Sequence, residues 1–476
     1  MYMLNSRDVI NQSGITFGTS GARGLVTQFT HEACSAFVHA FLHVIENDFK
    51  FDVISLAIDN RPSSYEIAQA CAFAIQQHGY LVEYHGVIPT PALAYYSMTN
   101  KRPCIMVTGS HIPFDRNGLK FYRPDGEITK IDELNIINSE FCFSPIGQIG
   151  ALQVSRTAAD MYISRYTSLF PDNILSGKRI GVYEHSSAGR DIYIELFHRL
   201  GAEVVSIGRS DSFVPIDTEA VTAEDRIRAK RWVGKYNLDA IFSTDGDGDR
   251  PLVSDEKGEW LRGDILGLIA ASGLDIKSIA VPVNSTTAIE LSNKFSVVRR
   301  TKIGSPYVIS AFDDMKEKYK RIAGFEANGG FLLASDIKIN GQTLSALPTR
   351  DAVLPALILF VLAGRKNISY LLESLPKRFS WSDRLQNFPV TLSNKVLADL
   401  LSAPGDFLLN IACCNNGCSL LDQTDGIRMH LDNGDIIHLR PSGNAPELRC
   451  YAEASTEAQA AKYVQDTLKN LSLRRV

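Results

Sequence analysis

The 476-residue chain has no surplus of either charge: 49 basic side chains stand against 53 acidic ones, for a net charge of −4. Nothing global draws it to a phosphate polymer or an anionic membrane surface, so neither nucleic acid nor membrane is expected as a partner. It has no apolar run near the roughly 20 residues that span a bilayer. Its start, Met1-Tyr2-Met3-Leu4-Asn5-Ser6-Arg7, lacks a basic segment followed by an apolar one. A cytoplasmic location is the expectation. Cysteines are few and scattered, eight in all, with only Cys413, Cys414 and Cys418 close together. No second Cys or His pair stands near enough to complete a zinc site, so reduced thiols are expected.

What is present is the balance of a soluble globular protein, 45% hydrophobic and 21% charged. At roughly 150 residues per domain the length suggests about three domains, and two or four are compatible with it. Short apolar runs alternate with helical patterns: VISLAID (53–59), YEIAQACAFAIQQHG (65–79) and PCIMVTGS (103–110). The pattern returns from KRIGVYEHSSAG (178–189) through DIYIELFHRLGA (191–202) to LDAIFST (238–244). It returns again from SIAVPV (278–283) through a helix near 286–294 to SVVRRT (296–301) and RIAGFEA (321–327). These are βαβ units on largely parallel sheets. The last part differs. IRMHLDNGDIIHLR (427–440) predicts a hairpin around Asp432-Asn433-Gly434-Asp435, because Asn-Gly tolerates positive φ. The strand ELRCYAEA (447–454) and a helix starting at Thr456, with Gln459 three residues on, complete an α+β module. Boundaries near Ala151, Asp255 and Ser374 give units 1–150, 151–255, 256–373 and 374–476.

Four loops follow or join predicted strands, where ligands bind in open α/β sheets. The first holds Thr108-Gly109-Ser110-His111-Ile112-Pro113 and then Asn117-Gly118-Leu119-Lys120. A serine on such a turn is free of strand pairing and available as a nucleophile, with His111 and Lys120 as proton shuttles or phosphate partners. Taken alone, this loop favours the plain polar turn over the nucleophile, because short motifs carry a high false-positive risk. The second, Thr244-Asp245-Gly246-Asp247-Gly248-Asp249-Arg250, places a carboxylate at every second position between glycines, a pattern that turns oxygens onto one hard cation such as Mg²⁺. Glu256 stands at the twelfth position of a calcium loop begun at Asp245. Pro251-Leu252-Val253 nevertheless predicts a strand where an EF-hand needs a helix. In the third loop, Gly324-Phe325-Glu326-Ala327-Asn328-Gly329-Gly330, Glu326 and Asn328 suit sugar hydroxyls. In the fourth, Arg440-Pro441-Ser442-Gly443-Asn444-Ala445-Pro446 with Arg449 beyond, guanidinium forks, a hydroxyl and free amides suit a phosphate, although a Pro-Gly turn explains it as well.

Together, in this order, the four loops resemble those of the α-D-phosphohexomutase superfamily, which includes phosphomannomutases and phosphoglucomutases. The resemblance runs the length of the chain and extends to Phe17-Gly18-Thr19-Ser20-Gly21-Ala22-Arg23-Gly24, similar to the family's opening stretch. It implies three similar α/β domains with mixed sheets followed by a C-terminal α+β domain, arranged around a central cleft. The family's phosphorylated serine falls on Ser110, which would share the metal site with Asp245, Asp247 and Asp249. Its proton-transfer lysine falls on Lys120, and Arg23, His111 and Arg250 complete the catalytic centre. The resemblance places sugar contacts at Glu326 and Asn328, ring-orientation contacts at Lys302 and Gly304 in Thr301-Lys302-Ile303-Gly304, and phosphate contacts at Arg440, Ser442, Gly443, Asn444 and Arg449. Three positions depart from the family pattern: Ile112 for an asparagine, Asn328 for a serine and Asn444 for a threonine. They bear on substrate more than on chemistry.

The implied reaction passes a phosphoryl group from Ser110 to a hexose phosphate. A hexose 1,6-bisphosphate forms, turns over and returns its other phosphoryl group, with Mg²⁺ as cofactor. Mannose phosphate is the favoured substrate and glucose phosphate, or both, the runner-up. From other classes, a sugar-phosphate phosphatase or a silent sugar-phosphate sensor remain alternatives. A coupled assay separates them: isomer interconversion, phosphate release, or binding alone. Oligomeric state is not legible.

Overall fold

The computed structural model describes residues 3–18, 20–145, 147, 149–442 and 446–473. Its first large sheet has seven strands. Thr16–Phe17, Ala22–Leu25, Arg116–Arg123, Cys104–Val107, Val53–Ile58 and Leu81–Val87 lie in that order, and Gly126–Glu127 pairs with Arg116–Arg123. The second sheet runs Glu203–Ile207, Arg179–Tyr183, Ala240–Thr244, Pro251–Ser254. The third runs Val297–Thr301, Ser278–Pro282, Ile322–Phe325, Phe331–Leu333, Leu347–Asp351. The fourth is wholly antiparallel: Phe379–Leu385, Leu448–Ala454, Ile436–Pro441, Ile427–Leu431, Cys418–Asp422.

The first three sheets repeat one device. A central strand has a parallel neighbour on one side and, on the other, an antiparallel strand entered directly through a loop. Cys104–Val107 lies between Val53–Ile58 and Arg116–Arg123. Ala240–Thr244 lies between Arg179–Tyr183 and Pro251–Ser254, and Ile322–Phe325 between Ser278–Pro282 and Phe331–Leu333. The serine, aspartate and glutamate loops are therefore the same loop in three sheets, each at the carboxyl end of its central strand. These strands read as largely apolar runs because both faces are covered: Cys104–Val107, Ala240–Thr244 and Ile322–Phe325 are buried throughout, Ser243 and Thr244 included. In the fourth sheet the phosphate-type loop joins Ile436–Pro441 to Leu448–Ala454, again an antiparallel pair.

One apolar core, which takes in Tyr122, Tyr162, Phe242, Phe331 and Phe360, runs through the first three sheets. The fourth sheet has its own core, built on Met429, Leu439, Cys450 and Tyr463. The helix Thr157–Thr167 stitches the first three together. Tyr162 and Tyr166 both donate hydroxyl hydrogen bonds to Asp351, at the end of a third-sheet strand. All eight cysteines are unpaired thiols, and among the described residues no helix is long and apolar enough to cross a membrane.

Two expectations are refined. The helix near 286–294 is a single turn, Ala288–Leu291. Asn293 takes a φ of 54° and ends it, while Thr287, at its start, is engaged by Glu453 of the fourth sheet through its backbone N–H at 2.9 Å. Pro251–Ser254 is the strand that the sequence predicted, so no EF-hand helix follows the aspartate loop. Glu256 instead accepts from the Ser369 hydroxyl and backbone N–H.

Burial lowers three histidines, His39, His185 and His438, to about 4. Unfolding returns each to its ordinary value near 6.5. Below that pH the unfolded chain binds protons that the folded chain does not, so stability is full above about 6.5 and falls as pH drops toward 4. The midpoint of thermal unfolding should therefore decline from pH 7 to pH 5, less steeply in His39→Gln. A flat profile across that window contradicts the neutral, buried state of these rings.

Candidate active site

Ser110 is the third residue beyond its strand and has a φ of 54°, a left-handed conformation that costs a side-chain-bearing residue about 1–2 kcal/mol. Arg61 holds the turn in place. Its Nη2 donates to the carbonyls of Ser110 at 2.8 Å and Ile112 at 2.5 Å, and its Nη1 to those of Pro113 at 2.7 Å and Arg116 at 3.0 Å. Asp59 fixes Arg61 in turn, accepting from its Nε at 3.1 Å and from the Thr108 hydroxyl at 2.7 Å. Thr108 Oγ1 then accepts the Ser110 backbone N–H at 2.8 Å. Gly109 is needed here, because a Cβ at that position would lie 2.6 Å from the Arg61 guanidinium carbon.

The aspartate loop meets this turn closely: a Cβ on Gly246 would lie 2.6 Å from the Ser110 carbonyl oxygen. The Ser110 hydroxyl donates to Asp245 Oδ2 at 2.7 Å. Asp245, Asp247 and Asp249 are buried, and one oxygen of each lies within 4.8 Å of the others. Asp247 Oδ1 and Asp249 Oδ1 are buried without a hydrogen-bond partner. Burial, with the charges of Asp247 and Asp249, pushes the Asp245 carboxyl well above the usual range. Three crowded anions with orphaned oxygens and no sulfur or nitrogen ligand suit a hard divalent cation such as Mg²⁺.

Lys120 lies on the strand following the serine loop. Its Nζ donates to Asp247 Oδ2 at 2.5 Å and Asp249 Oδ2 at 2.7 Å. Burial opposes its charge, but those two carboxylates outweigh burial and raise it. Asp247 is correspondingly held low. Burial works against it, and Lys120 and the 2.6 Å hydrogen bond from Thr90 overcome burial. Arg250 Nε lies 3.8 Å from Asp245 Oδ2 and 3.6 Å from Asp249 Oδ1, and its Nη1 donates to His111 Nδ1 at 3.1 Å. Burial, then Arg250 and Arg23, lower His111 to about 2. It is a neutral ring that accepts from Arg250, with Ser110 Oγ at 3.4 Å. Arg23 pairs across strands with Gly118. Burial and Arg250 bring it down to about 10.

Glu326 is buried and takes the Nε hydrogen bond of Arg350, whose Nη1 lies 3.4 Å from Asp249 Oδ2. Asn328 turns its side-chain oxygen onto Gly330 N at 3.0 Å, and its backbone carbonyl accepts from Thr218 at 2.8 Å. Ser110, His111, Lys120, Arg23, Arg250, the three aspartates and Glu326 thus form one connected cluster drawn from three sheets.

The remaining residues make a second group. Lys302 is exposed, its Nζ 5.8 Å from the Tyr307 ring centre. Gly304 has a φ of 126° at the start of the helix Ser305–Lys316. Arg440 and Arg449 face each other on adjacent strands, and Ser442 N donates to the Glu447 carbonyl at 2.8 Å. Gly443 and Asn444 lie outside the described residues. Asp425 bridges this group: its Oδ2 accepts from Ile303 N at 2.9 Å and lies 2.8 Å from Arg440 Nε.

Sequence reasoning missed Asp59, Arg61, Thr90, Arg350 and Asp425. Asp59 and Arg61 directly follow an apolar strand, so the rule that found the other loops applied to them too. Arg350, inside a strand, and Asp425, in a hairpin, carry no such signal.

Three like hairpin loops that bring a serine against a metal-suited aspartate cluster define an enzyme of phosphoryl transfer. Residues 14–141 match the α/β/α domain I of phosphoglucomutase/phosphomannomutase, and residues 385–470 its C-terminal domain. The chain is 58% identical to a phosphomannomutase of Salmonella muenchen over 98% of both chains. Among solved structures, a phosphoglucomutase/phosphomannomutase family protein of Burkholderia thailandensis superposes with a TM-score of 0.75 at 20% identity, covering 96% of this chain and 97% of that one. An Aspergillus fumigatus N-acetylphosphoglucosamine mutase, in complex with GlcNAc-6P and magnesium, superposes with a TM-score of 0.60 at 13% identity, covering 98% of each. The chain belongs to the phosphoglucomutase/phosphomannomutase family, within the α-D-phosphohexomutase superfamily.

Asp247→Asn keeps size but removes one charge from the cluster. Calorimetry on the folded variant should find Mg²⁺ binding weakened roughly tenfold or more, and its thermal midpoint should fall because the buried pair with Lys120 is lost. Unchanged Mg²⁺ affinity would leave the aspartate loop an acidic turn.

Proposed function

We propose that this chain interconverts mannose 1-phosphate and mannose 6-phosphate through a phosphorylated Ser110 and a mannose 1,6-bisphosphate. The hydrogen bond of Ser110 to Asp245 carries the chemistry, because it puts the one loop serine with a left-handed turn against the cation-suited aspartates. The sugar rests on the likeness to the Salmonella muenchen phosphomannomutase. Unpaired thiols on all eight cysteines favour a reducing compartment, the cytoplasm. We read the four units as 1–150, 151–255, 256–373 and 374–476, each contributing one loop.

In this reading Asp245, Asp247 and Asp249 would hold Mg²⁺ together with a phosphoserine oxygen. Bound there, it would neutralise charge on the phosphoryl oxygens and relieve Lys120 of the ion pairs that keep it protonated. A sugar hydroxyl attacks phosphorus as the bond to Ser110 Oγ breaks. Lys120 takes the hydroxyl proton, which passes on to the departing Ser110 Oγ and leaves it as a hydroxyl. Arg250, oriented by the neutral His111 ring, and Arg23 supply fixed positive charge beside the transferring group. Glu326, aimed by Arg350, receives sugar hydroxyls, with Asn328 beside it. Lys302 and Gly304 sense the ring orientation. Arg440, Ser442, Gly443, Asn444 and Arg449 hold the phosphate that is not reacting, in either orientation of the bisphosphate.

Two experiments test this. Ser110→Ala should lose roughly three powers of ten or more in turnover of mannose 1-phosphate. It should also lack a phosphorylated species that intact-mass measurement finds in the wild type. Arg440→Ala should raise KM for both mannose phosphates and cut kcat/KM by about one to two powers of ten, the worth of a charge-assisted phosphate contact. Wild-type turnover in the first variant sinks the phosphoserine, and unchanged KM values in the second sink the phosphate grip.

A further inference from the structure

Asp425 stands in the turn between the strands Cys418–Asp422 and Ile427–Leu431, outside every loop that sequence motifs mark. Its single oxygen Oδ2 serves two partners from different sheets. The Ile303 backbone N–H donates to it at 2.9 Å, from the loop that leads into the helix Ser305–Lys316. Arg440 Nε lies 2.8 Å away, at the end of the strand that opens the phosphate-type loop. The residue is itself tied down, since its backbone carbonyl accepts from the buried His438 Nε2 at 2.6 Å.

Charge explains why such a tie is needed. Arg384, Arg449 and Arg440 stand abreast on three neighbouring strands, and like charges directly opposite one another repel. Glu447 lies 3.7 Å from Arg384 and 3.5 Å from Arg449, and Asp425 supplies the counter-charge for Arg440. The contact is one of charge through Nε, whose N–H makes no hydrogen bond, and a guanidinium approached there can present its two Nη groups to a phosphate.

We propose that Asp425 is a positioning residue for substrate recognition. It sets the Arg440 guanidinium and draws the 301–304 loop against the fourth sheet, so that the phosphate grip and the ring-orientation loop are assembled by one carboxylate. This rests on the reading of Arg440 as a phosphate contact. A fork held against a rigid carboxylate meets the phosphate already oriented, whereas a free arginine loses rotamer freedom on binding. Removing the carboxylate therefore weakens capture of either hexose phosphate and leaves the phosphoryl-transfer centre at Ser110 intact.

The test is a double-mutant cycle of Asp425→Asn and Arg440→Ala, with KM and kcat read for mannose 1-phosphate and mannose 6-phosphate. Asp425→Asn should raise KM for both roughly tenfold and keep kcat within about threefold. In the Arg440→Ala background it should add clearly less, about threefold at most, because only the tie to the Ile303 N–H is then left to lose. A wild-type KM in Asp425→Asn beside a raised KM in Arg440→Ala overturns the proposal. So does a full tenfold effect that repeats in the Arg440→Ala background, or a loss confined to kcat and thermal stability. Unchanged KM in Arg440→Ala alone fails the phosphate grip itself, a distinct result. Should Asp425→Asn not fold, Asp425→Ser enters the same cycle with the same outcomes.

Discussion

Everything in this protein is arranged around the cost of burying charge. Asp245, Asp247, Asp249 and Glu326 are all out of water, and an isolated buried carboxylate is tolerated only when cations and hydrogen bonds surround it. The compensating cations come from different sheets. Lys120 and Arg23 belong to the first, Arg250 follows the aspartates in the second, and Arg350 sits in the third, tied at once to Glu326 and Asp249. Arg350 answers Glu326 within its own sheet and Arg250 stands beside the aspartates in theirs. The aspartates also draw on Lys120 from the first sheet and Arg350 from the third, so their charge is fully compensated only when the three sheets are docked. That requirement accounts for an apolar core that runs unbroken beneath all three loops. Even so, Asp247 Oδ1 and Asp249 Oδ1 are left without a hydrogen bond, which suits them to a further cation.

The fourth sheet stands outside this arrangement. Its core is separate, and it reaches the third sheet through polar ties, Glu453 on Thr287 and Asp425 on Ile303. Arg378 joins the first of these, donating to Glu453 Oε1 at 2.8 Å. These ties are few and directional, one of them through the buried Glu453, whereas a shared apolar core is not easily parted. The chemistry is therefore housed in the rigid part, and recognition of the distal phosphate in the part held by a few directional contacts. A pocket that must accept one sugar in two orientations suits such a division.

Much of this was legible in the sequence. The strand runs around 53–59, 104–107, 240–244, 278–283 and 322–325 were readable because a strand covered on both faces is largely apolar along its length. The loops were readable because catalysis needs particular side chains at the ends of those strands. Arg350 and Asp425 were not. Each acts through a partner far away in the chain, and a strand arginine or a hairpin aspartate looks the same whether it faces water or a buried carboxylate. The short turn at Ala288–Leu291 was overcalled for the same reason, since its start is engaged by Glu453, a residue of another sheet.

Arg61 carries the argument furthest. A serine nucleophile must stand clear of strand pairing and yet not move, and a left-handed φ at Ser110 satisfies the first need at a cost of about 1–2 kcal/mol. The second need is met by one guanidinium that donates four hydrogen bonds to the carbonyls of Ser110, Ile112, Pro113 and Arg116 while stacked 4.0 Å from the Phe213 ring centre. Backbone carbonyls are an unusual destination for a buried arginine, because they offer no charge in return. That charge comes from Asp59 beneath it. The strain at Ser110 is thus held by an ion pair in the first sheet, while Phe213, from the second, closes over it. The Ser110 hydroxyl meets Asp245 only where the aspartate-bearing sheet is docked, so the same contact between sheets brings nucleophile and metal ligands together.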